Sequence, residues 1–442
     1  MSDIVHHIGE VVASALTSAS RSHPEAIQPE AIVVAYSGGV DSSLLLYALH
    51  MFGRQSSIPI HAVHVHHGLS PNADDWQRHC EYQCRKLGIP FTAYKVSVDT
   101  GARKSVEAEA RNARYKVLLE YCHTHNAVLC LGQHGEDQLE TVLLQLKRGA
   151  GPQGLAGMGL YQWREGILML RPMLRLQKHA IVKAATELDI DWVSDESNAD
   201  NRYERNFLRN DIIPRLTKRW PQLVVTAGRS AQLIAEQNEL ITEQAQVYLC
   251  DCLITPHQLN ISKLQALSEK WQRVVLRQWF TQGSALLPSQ AQLFQLQAML
   301  GAKQDATPEV SFPWGKVARY NGILYWLSKC DATIPDTIAL KDGEKVLLPW
   351  LDLTVTLINT PENSKIEIKT GVTGLRVKPK TELVSKPLKN WFKQWKVPVW
   401  ERPKVPVIYI DNQAVGLIIN NEVVVFQSLP EKVKVILSEN KL

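Results

Sequence analysis

Residues Ser37-Gly38-Gly39-Val40-Asp41-Ser42-Ser43 combine two adjacent glycines, several hydroxyls and one acid, a set suited to a phosphate. The β-branched, apolar run before them reads as a buried strand, and Leu44–Leu49 after them reads as a helix. A Gly-Gly turn there lets backbone approach an anion closely. The helix start then aims unpaired N–H groups and its positive dipole end at that anion. A nucleotide is the commonest source of such a phosphate. Asp41 is the one acid of the loop, and carboxylate plus phosphate oxygens is a ligand set that suits Mg²⁺. The Walker A spacing and Gly-x-Gly-x-x-Gly are both absent. A serine-capped helix after a tight turn, with no ligand, is the bland alternative.

A second set of acids follows the apolar run Ala127–Leu131. Asp137 and Glu140 are three apart and share a helix face, where paired acids can hold a metal or an ammonium group. Arg111 and Arg114 have the same spacing, and their forked guanidinium groups suit a phosphate or a carboxylate. Surface ion pairing with Glu107 and Glu109 is the competing account of these arginines. His64 and His66 share a strand face but lack a convincing third zinc ligand. The seven cysteines form no Cys-x-x-Cys pair, and Cys80 and Cys84 read as buried packing.

The loop resembles the pyrophosphate loop, Ser-Gly-Gly-x-Asp-Ser, of the ATP pyrophosphatases, which split ATP between its α and β phosphates. Four further blocks narrow the resemblance. They are Ser105-Val106-Glu107 through Tyr115; Gly132-Gln133-His134-Gly135-Glu136-Asp137-Gln138-Leu139-Glu140-Thr141 with Leu146–Leu155; Asp195-Glu196-Ser197-Asn198 through Arg205, Asn206 and Arg209; and Leu388-Lys389 through Arg402. In this order, and over nearly the whole chain, they closely resemble the tRNA(Ile)-lysidine synthetase family. The resemblance implies adenylation of the C2 oxygen of the wobble cytidine in a CAU-anticodon isoleucine tRNA. The ε-amine of free lysine then attacks C2 and expels AMP.

Carried onto this chain, the resemblance makes Asp41, Asp137, Arg111 and Arg205 catalytic. It assigns ATP to Ser37, Gly38, Gly39, Val40, Asp41, Ser42 and His66, with Mg²⁺ on Asp41 through the phosphates. It assigns lysine to Asp137, Glu140, Glu136 and Arg114. The strand end His64-Val65-His66-His67-Gly68 resembles the family's second strand, which borders the ATP pocket. Lysine's ammonium has a pKa near ~10.4, so only about one molecule in a thousand is nucleophilic at neutral pH. Acids must orient it, and a carboxylate such as Asp137 could accept its proton. One departure stands out: the family carries two aspartates where this chain has Glu136-Asp137, which shifts the first carboxylate by about ~1.5 Å. A 2-thiocytidine-forming relative is the alternative enzyme, but it would be expected to carry Cys-x-x-Cys pairs. An RNA-binding module with a regulatory nucleotide site is the non-enzymatic alternative.

The elements that must position these residues are legible as alternating strands and helices. Ile60–His66, Phe91–Val98, Ala127–Leu131 and Ile167–Leu170 read as strands; 73–87, 105–125, 136–147 and 178–188 read as helices. This predicts an α/β fold, a parallel sheet with helices on both faces, of the adenine nucleotide alpha hydrolase type that the resemblance implies. Both sets of chemical residues then fall at the carboxyl edge of the sheet, where such folds bind ligands. Residues 226–300 read as mainly helical and the rest as an α+β domain, so the expected domains are 1–216, 217–333 and 334–442. Lys147–Gly159 is either a Gly-rich connection or, by the resemblance, an active-site loop.

The chain has 442 residues, 45% hydrophobic and 21% charged, as expected of a folded globular protein. Its net charge of +5 is uneven. Residues 376–404 hold nine basic residues against two acids, which suggests a polyanionic partner. Lys389, Lys393, Lys396 and Arg402 are the candidate tRNA contacts, with a plain solvated face as the alternative. Trp391, Phe392, Trp395 and Trp400 read as core. No apolar run approaches the ~18 residues that span a bilayer. No leader is expected, so the expected site of action is the cytoplasm. The expected partners are tRNA, free lysine and ATP, with a homodimer as an option.

Overall fold

A computed structural model describes residues 3–22, 29–66, 72–96, 106–194, 196, 200–283, 287–303, 307–329 and 334–439. His67, Gly68, Ser105, Asp195, Ser197, Asn198 and Cys330 lie outside the described residues, as do the side chains of Val106, Glu107 and Ala108. The chain divides into two compact units, Met1–Thr242 and Glu243–Leu442.

The first unit contains α1 (Asp3–Ser22), β1 (Ala31–Ala35), α2 (Val40–Ser56), β2 (Ile60–His66), α3 (Ala73–Leu87), β3 (Phe91–Lys95), α4 (Val106–Thr124) and β4 (Ala127–Cys130). It continues with α5 (Gly135–Lys147), α6 (Pro152–Leu155), β5 (Tyr161–Arg164), β6 (Ile167–Leu170) and α7 (Lys178–Glu187). The sheet order is β3-β2-β1-β4-β6-β5, parallel except for β5. Buried on both faces, β1 needs no polar alternation, and Ala31-Ile32-Val33-Val34 supplies none. Ile32 and Val34 pack with α1, α2, α3 and α7, through residues such as Ile8, Leu45, Cys84 and Ile181. Val33 turns to the other face, against Tyr115, Leu118 and Cys122 of α4. Helices therefore cover both faces, as the strand–helix alternation predicts.

The strand order switches direction at β1, with β2 on one side of it and β4 on the other. The loops after β1 and β4 therefore open side by side, forming the crevice in which folds of this type take ligands. Cys80 and Cys84 are fully buried under the first of these loops, and burial pushes the Cys84 thiol up to about 12. Packing, not metal binding, accounts for them.

The edge strand β5 and helix α1 are additions to the expected elements. Glu165 and Gly166 both take positive φ, 51° and 77°, which makes the tight β5–β6 turn. The α1 helix is amphipathic, with Val5, Ile8, Val12 and Ala15 buried against α2.

Residues 223–300 are largely helical, in Leu223–Cys252, Glu269–Thr281 and Gln290–Leu300. A five-stranded antiparallel sheet joins them, including the strands Leu253–Thr255 and Gln258–Asn260 inside the expected helical stretch. Asn321 and Gly322 make the expected tight turn, at φ 48° and 78°. The C-terminal part is mainly β: a five-stranded and a three-stranded antiparallel sheet share one core of Val355, Ile368, Ile408 and Ile418. Its helix Leu388–Gln394 buries Leu388, Trp391 and Phe392. No helix among the described residues is long and apolar enough to cross a membrane.

Trp391 is 0% exposed, donates its indole N–H to the Val377 carbonyl at 3.0 Å and stacks on Trp395. Replacing it with Ala should cost about 3–5 kcal/mol of stability. Chemical denaturation of the purified chain checks this; unchanged stability with weakened RNA binding would instead mark the ring as a base-stacking platform.

Candidate functional site

The loop after β1 is folded over the start of α2 by its own serines. Ser42 Oγ accepts the Ser37 N–H at 3.2 Å, lies 3.1 Å from Ser37 Oγ and donates to the Gly39 carbonyl at 3.0 Å. Ser43 Oγ donates to the Gly38 carbonyl at 3.3 Å. Gly39 is the N-cap of α2 and no side chain caps it, so the first-turn amides of that helix keep their capacity for an anion. Gly38 must be glycine on two counts: its φ is +85°, and a Cβ would stand 2.9 Å from Cys80 Sγ. From the neighbouring strand end, Gly132 comes so close that a Cβ would lie 3.2 Å from the Ser42 amide nitrogen and 3.3 Å from the Asp41 carbonyl carbon.

Asp41 projects from the first turn of α2 into a chain of alternating charges. Lys178 Nζ, at the start of α7, donates to both of its carboxylate oxygens at 2.7 Å. His134 Nε2 stands 3.7 Å from Asp41 and 3.5 Å from Asp137. His134 Nδ1 lies 3.1 Å from Glu136 Oε2, and Asp137 accepts the His134 N–H at 3.1 Å to complete the cap of α5. Arg209 closes the far end: its Nε and Nη2 meet Glu140 at 2.8 and 3.1 Å, and Nη2 meets Asp137 at 2.8 Å.

The electrostatics follow from burial and these partners. Burial alone would lower His134, but the hydrogen bond to Glu136 and the charges of Asp137 and Asp41 outweigh it and hold the imidazole above its ordinary value. Burial pushes Glu136 up, and the opposing hydrogen bonds from His134 and the Lys178 amide leave it below the usual carboxylate range. Glu140 is fully buried, and its desolvation, with help from Asp137, prevails over Arg209 to hold its carboxyl above that range. Arg209 is raised: burial opposes its charge, but Glu140 and Asp137 more than compensate.

The expected site residues do not all share one place. Asp41, Glu136, Asp137 and Glu140 belong to the charge chain. Glu136 has another occupation than the expected grip on lysine: Oε2 meets His134 and also accepts the Lys178 backbone N–H at 2.9 Å. Its side chain thereby ties α5 to α7. Arg111 and Arg114 gather over the Tyr115 ring with Arg164, at 5.6, 5.9 and 4.8 Å from its centroid. Arg205 bridges the two groups electrostatically, its charge reaching both Glu140 and Arg114. It also lines a cleft of about 290 Å³ with Thr141, Gln145, Arg148 and Tyr203.

His66 is buried at the end of β2, with Asp74 Oδ1 at 3.2 Å from its Nε2. His64 Nδ1 lies 2.9 Å from the Tyr36 carbonyl, so it is tied into packing. Lys389, Lys393 and Lys396 are exposed. Arg402 is half-buried and donates from Nε to the Val397 carbonyl at 3.1 Å.

Five positions carry more of the geometry than their sequence signal suggests. Lys178 and Arg209 are the counter-ions of the acids, and His134 links them. Buried Gln138 pairs with the backbone of Met158, donating to its carbonyl at 3.0 Å and accepting its N–H at 2.8 Å. That contact pins the Gly-rich segment to α5. Arg171, also buried, donates to Gln133 at 2.6 Å and to the Gly159 carbonyl at 3.0 Å. Arg209 lay in a block that carried the resemblance, but without an assigned role. Among the described residues no group of three or more His, Cys, Asp or Glu could hold a metal by itself. An ion at Asp41 would therefore need oxygens from a phosphate, which fits Mg²⁺.

Comparison with known proteins identifies the segments of the chain. Residues 11–216 match a PP-loop domain, 259–341 a TilS substrate binding domain and 366–428 a TilS substrate C-terminal domain. The tRNA(Ile)-lysidine synthase of Vibrio parahaemolyticus is 37% identical over 402 residues, 88% of this chain and 91% of that protein. Those of Shewanella oneidensis and Proteus mirabilis are 36% and 34% identical, covering 87% and 88% of this chain and 89% and 90% of theirs. Among solved structures, the U34-tRNA thiolase NcsA from Methanococcus maripaludis is similar over 51% of this chain and 79% of its own, with a TM-score of 0.41 and 16% identity.

Gly132→Ala would push the strand-end loop off the first turn of α2. It should weaken ATP binding about tenfold by misplacing the cradle, with little loss of fold. Calorimetric titration with ATP checks this, and an unchanged affinity would contradict it.

Proposed function

The chain belongs to the tRNA(Ile)-lysidine synthase family, ATP-using enzymes that form lysidine in tRNA, and on that premise we propose how its residues perform the reaction. ATP lies with its phosphates over the Ser37–Ser42 loop. The C2 oxygen of the wobble cytidine, in the CAU anticodon loop of isoleucine tRNA, attacks the α phosphorus and pyrophosphate leaves. The ε-amine of free lysine then attacks C2, the C2–O bond breaks and AMP departs. The product pairs with A in place of G, so the codon read changes from AUG to AUA and charging from methionine to isoleucine. Cytoplasm, where tRNA and free lysine meet, belongs to the same proposal.

The observation that carries this reading is the single imidazole between the two acids. His134 stands within 3.7 Å of Asp41 and 3.5 Å of Asp137, so the phosphate side and the amine side of the reaction are neighbours. Asp137 and Glu140 already hold a cationic nitrogen group, the Arg209 guanidinium, at 2.8 Å. An incoming ammonium takes the same acids, and Asp137, the more open of the two, receives its proton as it becomes a nucleophile. Arg111, Arg114 and Arg205 supply cations for the α phosphate or the lysine carboxylate. Asp41, with phosphate oxygens, would hold Mg²⁺, which would neutralise phosphate charge there. A cytidine in a single-stranded loop can be splayed into the site at lower cost than a paired base.

With ATP, lysine and the CAU-anticodon tRNA, pyrophosphate and lysidine should form in equal amounts, and no pyrophosphate should form without tRNA. Asp137→Ala should lower the rate by about 10²–10⁴-fold, and Asp41→Ala should abolish lysidine; wild-type turnover in either defeats the site assignment. ATP turnover with sulfide but not with lysine would favour the thiolating alternative.

Lys389, Lys393 and Lys396 are proposed to meet tRNA phosphates. Changing all three to Ala should weaken tRNA binding and reduce the slope of log affinity against log salt by about 2–3, one unit or slightly less per lost phosphate contact. An unchanged slope would show that this face is merely solvated.

A further inference from the structure

Lys178 forms the shortest contact to the loop's one acid, and its position asks for more than a structural ion pair. Its ammonium lies 2.7 Å from both oxygens of Asp41, centred where a cation shared by that carboxylate would sit. Mg²⁺ on the same oxygens would lie at about 2.0–2.1 Å. Two cations cannot occupy that position together, because like charges at such separations repel strongly. Binding of a metal-bound triphosphate therefore requires the ammonium to leave.

The structure also shows what lets it leave and what would receive it. Its side chain is 39% exposed and unbranched, so it can swing. Its backbone is fixed, because Glu136 accepts its N–H at 2.9 Å. The first-turn amides of α2, on which Asp41 sits, mark the anion position beside it. Lys178 itself begins α7, whose N-cap Gln177 makes no side-chain cap. A triphosphate entering here brings charge opposite to that of the ammonium within a lysine's reach.

We infer that Lys178 is a counter-ion switch: its ammonium, paired with Asp41 at 2.7 Å, transfers to a phosphate oxygen when Mg²⁺ and nucleotide arrive. The switch keeps the loop's acid from repelling the incoming triphosphate and releases that acid to the metal in the same event. It is a positioning and binding role for a residue with no motif of its own, and it rests on the nucleotide reading above. Glu136 belongs to the same device. By holding the Lys178 backbone it fixes the pivot.

The test is binding of α,β-methylene-ATP, which cannot be cleaved at the α–β position, to the full chain by calorimetry with Mg²⁺ and with EDTA. Lys178→Met should weaken metal-free binding by about tenfold and Mg²⁺-bound binding by about threefold or less, since the metal then neutralises Asp41. Lys178→Arg should stay near wild type in both conditions and guards against a simple folding defect, checked by thermal unfolding. Asp41→Asn should tighten metal-free binding, because the repelling charge is gone and the ammonium is free. The double variant should lose that gain. Equal loss with and without metal, or no loss, would overturn the inference and leave the nucleotide reading standing. Failure of the wild-type chain to bind the analogue in either condition would overturn the nucleotide reading and the inference together.

Discussion

Four carboxylates crowd one end of a parallel sheet, and the site exists because each is given a cation. Asp41 has Lys178, Glu136 has His134, and Asp137 and Glu140 share Arg209. Glu140 is wholly buried, and a buried acid without a partner would be strongly destabilising. Lys178 and Arg209 come from distant parts of the chain, α7 and the segment after it, so their pairings also close the unit around the crevice.

The fold makes that crowding possible by bringing two loops to one crevice. β1 and β4 are adjacent and parallel, and their following loops carry Asp41 and Asp137. The approach is close: a Cβ at position 132 would lie 3.2 Å from the Ser42 amide nitrogen. Gln138 and Arg171 then fasten the Gly-rich segment and Gln133 around it. Packing on both faces of β1 anchors the floor, so the geometry of the reacting groups is inherited from the core and not from flexible loops.

Much of this was legible in the sequence, and the reasons are local. The Ser37–Ser43 loop is contiguous, flanked by a strand and a helix with clear periodicity, so its place at the sheet edge could be read directly. The same holds for the acids of α5. What escaped was long-range or concealed. Lys178 stands 137 positions from Asp41, and nothing in its surroundings marks it as a partner. Arg209 lay inside a quoted motif, but its two acids are 69 and 72 positions away. The role of Glu136 needed the position of α7, and the hydrogen bond of Arg402 needed the Val397 carbonyl. The hairpin at Leu253–Asn260 was hidden in a helix-rich stretch because its strands are only three residues long.

The central claim is that the phosphate side and the amine side of this crevice act on one cytidine in succession. Single-turnover incubation of the chain with ATP labelled at the α phosphate, Mg²⁺ and the CAU-anticodon tRNA, in the absence of lysine, tests it most directly. Label should move onto the tRNA as pyrophosphate is released, and added lysine should free it as AMP. Label recovered as ADP, or a tRNA that never carries it, would contradict the account.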